Sequence, residues 1–191
     1  MMKDSANTSD AVGSFVSVAS GVSAHTKAGG VYHVQCFDKD GNLKWEDKAH
    51  NLVVNEGLKD MNDKYFSGAA YSATWYLGLV TGPGSGTTFA AADTLASHAG
   101  WTEFTNYSGN RGAVTFGAAT LADPSVITNP SPVQFTITGA GGTVAGAFLA
   151  SVATGTSGIL FSESDFQAPG DRAVVSGDVL NVTYQFSLDA A

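Results

Sequence analysis

Cysteine is nearly missing from this chain of 191 residues: Cys36 is the only one. An internal disulfide is therefore excluded, and so are zinc sites built from several thiolates. Charge is also scarce, at 14% of residues, about half the usual share. Positive charge is scarcest after residue 64, where only Arg111 and Arg172 carry it. With a net charge of −8, no basic face is available for phosphate contacts, which argues against nucleic acid as a partner. No apolar run approaches about 20 residues, so no membrane-spanning helix is expected. The stretch "AVGSFVSVASGVSA" (11–24) has the small-residue ending of a secretion signal. Asp4, Asp10 and the interspersed Ser and Gly argue against that reading.

What the chain does have is apolar and aromatic matter without charge. Hydrophobic residues make up 43%, including 11 Phe, 6 Tyr and 3 Trp, alongside 23 Gly. That is ample for one core, and the neutral remainder suits close contact with other protein surfaces.

Residues 1–29 are rich in Ser, Ala, Gly and Asn and read as an extended N-terminal arm. Such a segment buries too little surface to fold alone. Its scattered apolar residues Phe15, Val16, Val18 and Val22 are the expected partner-binding positions, placed to lie on a neighbouring subunit. Residues 30–191 read as a single β-rich domain. "VYHVQCF" (31–37) alternates, "DKDGN" (38–42) is a turn and "LKWED" follows, which predicts a hairpin. The Asp and Gly spacing there does not fit a calcium loop. "NLVVNEGLKDMNDKYF" (51–66) contains the one predicted helix. Asn55 is its expected cap, Leu58, Met61 and Tyr65 its inward stripe, and Gly68 its stop.

Everything later reads as strand and turn. "TWYLGLV" (74–80) is a buried strand, and 81–100 a long polar connection. "AVTFGAATL" (113–121) is a strand, 133–151 two strands about a Gly-rich turn, and 158–166 a half-buried strand. Residues 174–188 alternate to the end. No sustained alternation of strand and helix occurs. The expected fold is therefore mainly β: an antiparallel β-sandwich or barrel-like domain with one short helix.

Chemistry-bearing motifs are few. His25, His33, His50 and His98 form no H-E-x-x-H pair, and no Gly-rich stretch ends in Lys-Ser or Lys-Thr. "GPGSG" (82–86) has Pro where a nucleophile elbow needs its first Gly. "SHAGWTEF" (97–104), with Arg111 beyond it, invites an active-site reading. The alternation instead places Trp101 and Glu103 on one strand face and Thr102 and Phe104 on the other. His98 then turns the corner, its ring serving backbone carbonyls. No catalytic residue, cofactor-binding residue or metal ligand is assigned, and no cofactor is expected.

The segments "NLVVNEGL", "WYLGLV", "AADTLASHAGWTEF", "GAFLAS", "GILFSESDF" and "GDVLNVTYQFSL" occur in that order between about residues 31 and 188. This ordered set resembles a family of tailed-bacteriophage virion proteins, above all capsid decoration or cement proteins. The resemblance implies a structural protein on the capsid exterior, made in the host cytoplasm. The implied partners are the major capsid protein and further copies of this chain, as a homotrimer. A tail, adaptor or fibre component is the alternative within the virion. A carbohydrate-binding β-sandwich, displaying Trp45, Trp75, Tyr76 and Tyr107, is the alternative of another class.

Overall fold

Period-2 alternation builds the longest strands. In the computed structural model, which describes residues 27–71, 74–82, 87–167 and 170–190, β1 (Lys27–Phe37) pairs with β13 (Val179–Asp189) along its whole length. Tyr32, Val34 and Cys36 point inward, opposite Tyr184, Val182 and Leu180, and all six are fully buried. The rings of Tyr32 and Tyr184 lie 4.5 Å apart between centroids. On its other side β1 pairs with β2 (Leu43–His50) through the expected hairpin. Asp38 closes that turn by accepting from the backbone N–H groups of Asp40 and Asn42. The first sheet is antiparallel, ordered β2-β1-β13-β7, with β7 at Ser125–Thr128. Its first strand begins at Lys27, so residues 27–29 belong to the domain and not to the predicted arm. The predicted arm contacts at Phe15, Val16, Val18 and Val22 lie outside the described residues.

Strand β8 (Val133–Thr136) also pairs with β13, beyond the end of β7. Pro130 and Pro132 lie between β7 and β8, and proline has no N–H to give to a ladder. Asn129 fills the gap with its side chain. Its Oδ1 accepts from the Tyr184 N–H at 2.6 Å, and its Nδ2 donates to the carbonyls of Val182 and Ser131.

The second sheet is ordered β3-β11-β10-β4-β5, with β6 also on β4. Its strands are β3 (Leu52–Val53), β4 (Trp75–Thr81), β5 (Thr102–Phe104), β6 (Gly112–Val114), β10 (Gly146–Ala150) and β11 (Leu160–Asp165). Leu77, Leu79, Ala147, Leu149 and Phe161 face the first sheet and join its buried residues in the main core. The opposite face carries a second core of Val54, Val80, Leu95, Trp101, Ala145, Phe148, Ala150 and Leu160. A sheet covered on both faces needs apolar residues in succession rather than in alternation. This explains why β10 is buried throughout and why β11 is buried up to Ser164, not half-buried as predicted.

A bulge fixes which side chains of β11 go where. Leu149 pairs with Ser162, yet Ala150 pairs with Leu160, so Phe161 is the extra residue. Phe161 and Ser162 both point to the main core, where Tyr32 Oη lies 2.7 Å from Ser162 Oγ. Leu160 belongs to the second core, and Glu163 joins it there through Trp101.

Two further strands depart from expectation. Residues 133–151 form three strands, because β9 (Gly142–Val144) separates β8 from β10 and pairs with β12 (Arg172–Val174) as a ribbon. The chain must cross there from one sheet to the other. The strand predicted over 113–121 ends at Val114, and its continuation is tied to β7 by one backbone bond at Gly117 and by three bonds at Thr120, to Val126 and Ser125.

Helix α1 (Asn55–Phe66) follows β3 and packs against β11. Asn55 is not its cap: Val54 holds that position, with no side-chain cap. Tertiary acceptors anchor the entry to the helix instead: the Val54 N–H donates to the Phe161 carbonyl and the Asn55 N–H to the Ala91 carbonyl. Gly57 makes the close approach possible, because a Cβ there would sit 2.3 Å from the Phe161 oxygen. The buried face is thus set by Gly57, Asp60 and Met61. The predicted stripe keeps only Met61, and Leu58 and Tyr65 turn outward. Gly68, at φ +68°, ends the helix as expected.

Candidate functional site

The densest cluster of polar and aromatic groups lies on the outer face of the second sheet, around "SHAGWTEF". The loop before β5 brings His98 onto Trp101, their rings stacked at 3.7 Å. His98 Nδ1 donates to the Trp101 carbonyl at 3.0 Å, the corner role expected of it. Trp101 is 3% exposed and rests 5.1 Å from the Phe148 ring. The Phe148 ring in turn covers Gly78 on β4, where a Cβ would lie 2.3 Å from Cζ.

Glu103 pairs with Arg111 through two parallel bonds, Nε to Oε1 at 2.8 Å and Nη2 to Oε2 at 2.7 Å. Arg111 Nη1 also donates to the Val152 carbonyl, and its guanidinium lies over Phe148, 5.1 Å from the ring centroid. A fork of this kind neutralises and orients both partners. Four residues singled out in the sequence therefore do gather, with Trp101 and Glu103 on one face and Phe104 in the main core on the other.

Sequence reasoning missed the centre of the cluster. Glu163, on β11, is fully buried and accepts from Trp101 Nε1 at 2.9 Å. Its cross-strand neighbours are Phe148 and Leu52, both apolar. Its Oε1 has no well-formed hydrogen bond, and the charged group acting on it is Asp93 of the loop. Burial, reinforced by Asp93, pushes the Glu163 carboxyl up to about 8 against the pull of the Trp101 and Ala90 N–H groups. At neutral pH it holds its proton. The one available signal was an acid inside the otherwise uncharged strand "GILFSES".

Other titratable groups serve the packing. Burial pushes the Cys36 thiol up to about 11, which keeps it protonated and unreactive. Burial likewise raises the phenols of Tyr32, Tyr107 and Tyr184. Among the described residues, no group of three or more His, Cys, Asp or Glu is placed to hold a metal ion. No described helix is long and apolar enough to cross a membrane.

A second feature lies at the end of α1. Tyr65, Phe66 and Tyr71 are 83%, 78% and 77% exposed. Tyr65 and Phe66 hold each other edge to face at 4.9 Å. Lys64 sits over both Tyr71 and the half-buried Trp75, which in turn packs on Phe161. The aromatic series thus runs from the main core out to solvent. The aromatics predicted for a sugar-binding face lie elsewhere. Tyr107 is buried on Phe135, Trp45 packs on Phe166, and Trp75 and Tyr76 are half-buried.

Comparison with protein families, curated proteins and solved structures finds no match to this chain.

Proposed function

We propose that this chain is a capsid decoration protein of a tailed bacteriophage, which binds the outside of the assembled shell at subunit junctions and stabilises it. The observation that carries this reading is the exposure of three large rings, Tyr65, Phe66 and Tyr71, at and just beyond the end of α1. Monomeric domains rarely leave large rings grouped in water, and such groups mark contact with other protein. Three rings of this kind bury on the order of 500 Å² when covered. That is more than half of the roughly 800 Å² each partner contributes to an ordinary specific interface. Repetition over a shell multiplies modest contacts into a tight grip. The ordered set of segments resembling virion proteins points the same way. The partners are the major capsid protein and two further copies of this chain.

The test is co-sedimentation of purified protein with expanded empty capsids and with free capsid subunits. Saturable binding to shells alone, lost in the Phe66→Ser/Tyr71→Ser double variant, is the expected result. Protein that ignores shells refutes the reading. Copy number in particles separates it from a tail or fibre role: hundreds for decoration, about a dozen for a tail part.

A further inference from the structure

The segment Thr87–Trp101 closes the second core from outside, and Leu95 and Trp101 are its buried side chains there. Many of its backbone bonds close within the segment itself, such as Thr88 to Gly100, Asp93 to Ala90, and Thr94 with Ser97. Its polar attachments to the rest include the Asn55 N–H to the Ala91 carbonyl, Trp101 Nε1 to Glu163 Oε2, and the Ala90 N–H directed at the Glu163 carboxyl. Asp93 also faces Glu163, while its Oδ2 accepts from the Ala90 N–H.

The groups around Glu163 leave it without a cation. From β3 and β10 it meets Leu52 and Phe148. Glu56 of α1 is engaged by the Leu160 N–H. His98 lies against the Trp101 ring, and Arg111 is held by Glu103 over Phe148. The facing charge is therefore Asp93, of the same sign that Glu163 acquires on ionising. Burial strips Glu163 of water, and a neighbouring carboxylate further disfavours its charged form.

We infer that Glu163 is a proton-operated latch: protonated, it fastens segment 87–101 to β11 through Asp93 and Trp101, and on losing its proton it repels Asp93 and releases the segment. Release uncovers Trp101, Leu95 and Phe148, a fresh apolar surface.

The sign follows from linkage. The closed form keeps the proton up to about pH 8, whereas a released Glu163 loses it near its ordinary value of 4.5. Opening therefore becomes easier as pH rises between those values, by about tenfold per pH unit, and levels off above them.

The test is amide hydrogen exchange of the full chain, followed in peptides from 87–101 and corrected for the intrinsic pH dependence. Protection of this segment is expected to fall about 50-fold between pH 6 and pH 8, while β1 and β13 stay protected. In Glu163→Gln, which carries no charge at any pH, protection should not change with pH. In Asp93→Asn, the pH at which protection levels off should move down. The latch is overturned if the wild-type segment shows no such fall, if the Gln variant falls as the wild type does, or if β1 and β13 open together with it. Should Glu163→Gln not fold, an unmoved profile in Asp93→Asn overturns it equally.

Discussion

Replacing Glu163 by Gln should change how global stability depends on pH, and the size of the change can be worked out. The folded carboxyl titrates at about 8 and the ordinary one at 4.5. A raised folded value means stability that is complete below pH 4.5 and is lost as pH climbs to 8. At 1.36 kcal/mol per pH unit, the whole interval amounts to about 5 kcal/mol. Local release of segment 87–101 caps that figure at the cost of opening. The assay is urea unfolding of wild type and Glu163→Gln at pH 5, 6, 7, 8 and 9. Taking the difference at each pH removes every other titrating group. Wild type should lose about 1.4 kcal/mol per unit relative to the variant from pH 5 upward. The loss should stop near pH 8, or earlier where opening takes over. A difference that stays flat from pH 5 to 8, or that grows in favour of wild type, refutes the assignment of a buried protonated carboxyl.

Gly78→Ala should cost about 1–3 kcal/mol by forcing Phe148 off its seat, read as a lower urea midpoint with an unchanged slope. Asn129→Ala strands the Tyr184 N–H and should cost about 1–3 kcal/mol, with faster exchange at that amide. Cys36 is fully buried and should react with a thiol reagent only at the rate of unfolding, and raising the pH from 7 to 9 should not make the folded protein react, because its thiol stays protonated up to about 11. Gly57→Ala should push α1 off β11 and lower the melting temperature, since the new Cβ meets backbone oxygen rather than a yielding side chain.

The strands legible in the sequence were those with one wet face. β1, β2 and β13 alternate because only one side of their sheet is buried, and the DKDGN turn between β1 and β2 supplies its own Asp and Gly. Strands of the other sheet are legible as strands but not as covered on both faces. "GILFSESDF" looks half-buried because its apolar residues are few, whereas loop and first sheet cover both of its faces. The helix was found, yet its inward face was not. Period counting favoured Leu58 and Tyr65, and the contact at Gly57 rotated them outward. His98, Trp101, Glu103 and Arg111 drew attention by proximity in the chain. Glu163 did not, because it reaches Trp101 from 62 residues away.

By itself the sequence determined the class of fold and the hairpin, because side-chain alternation and turn chemistry act between near neighbours. It determined also that Cys36 has no disulfide partner within the chain and that few cations follow residue 64. Only the tertiary structure decided that one sheet is buried twice, that a bulge at Phe161 sends Glu163 to the outer core, and that this acid keeps its proton. Solvation and the field of a distant carboxylate set a proton's affinity, and both exist only once the loop has closed over the sheet.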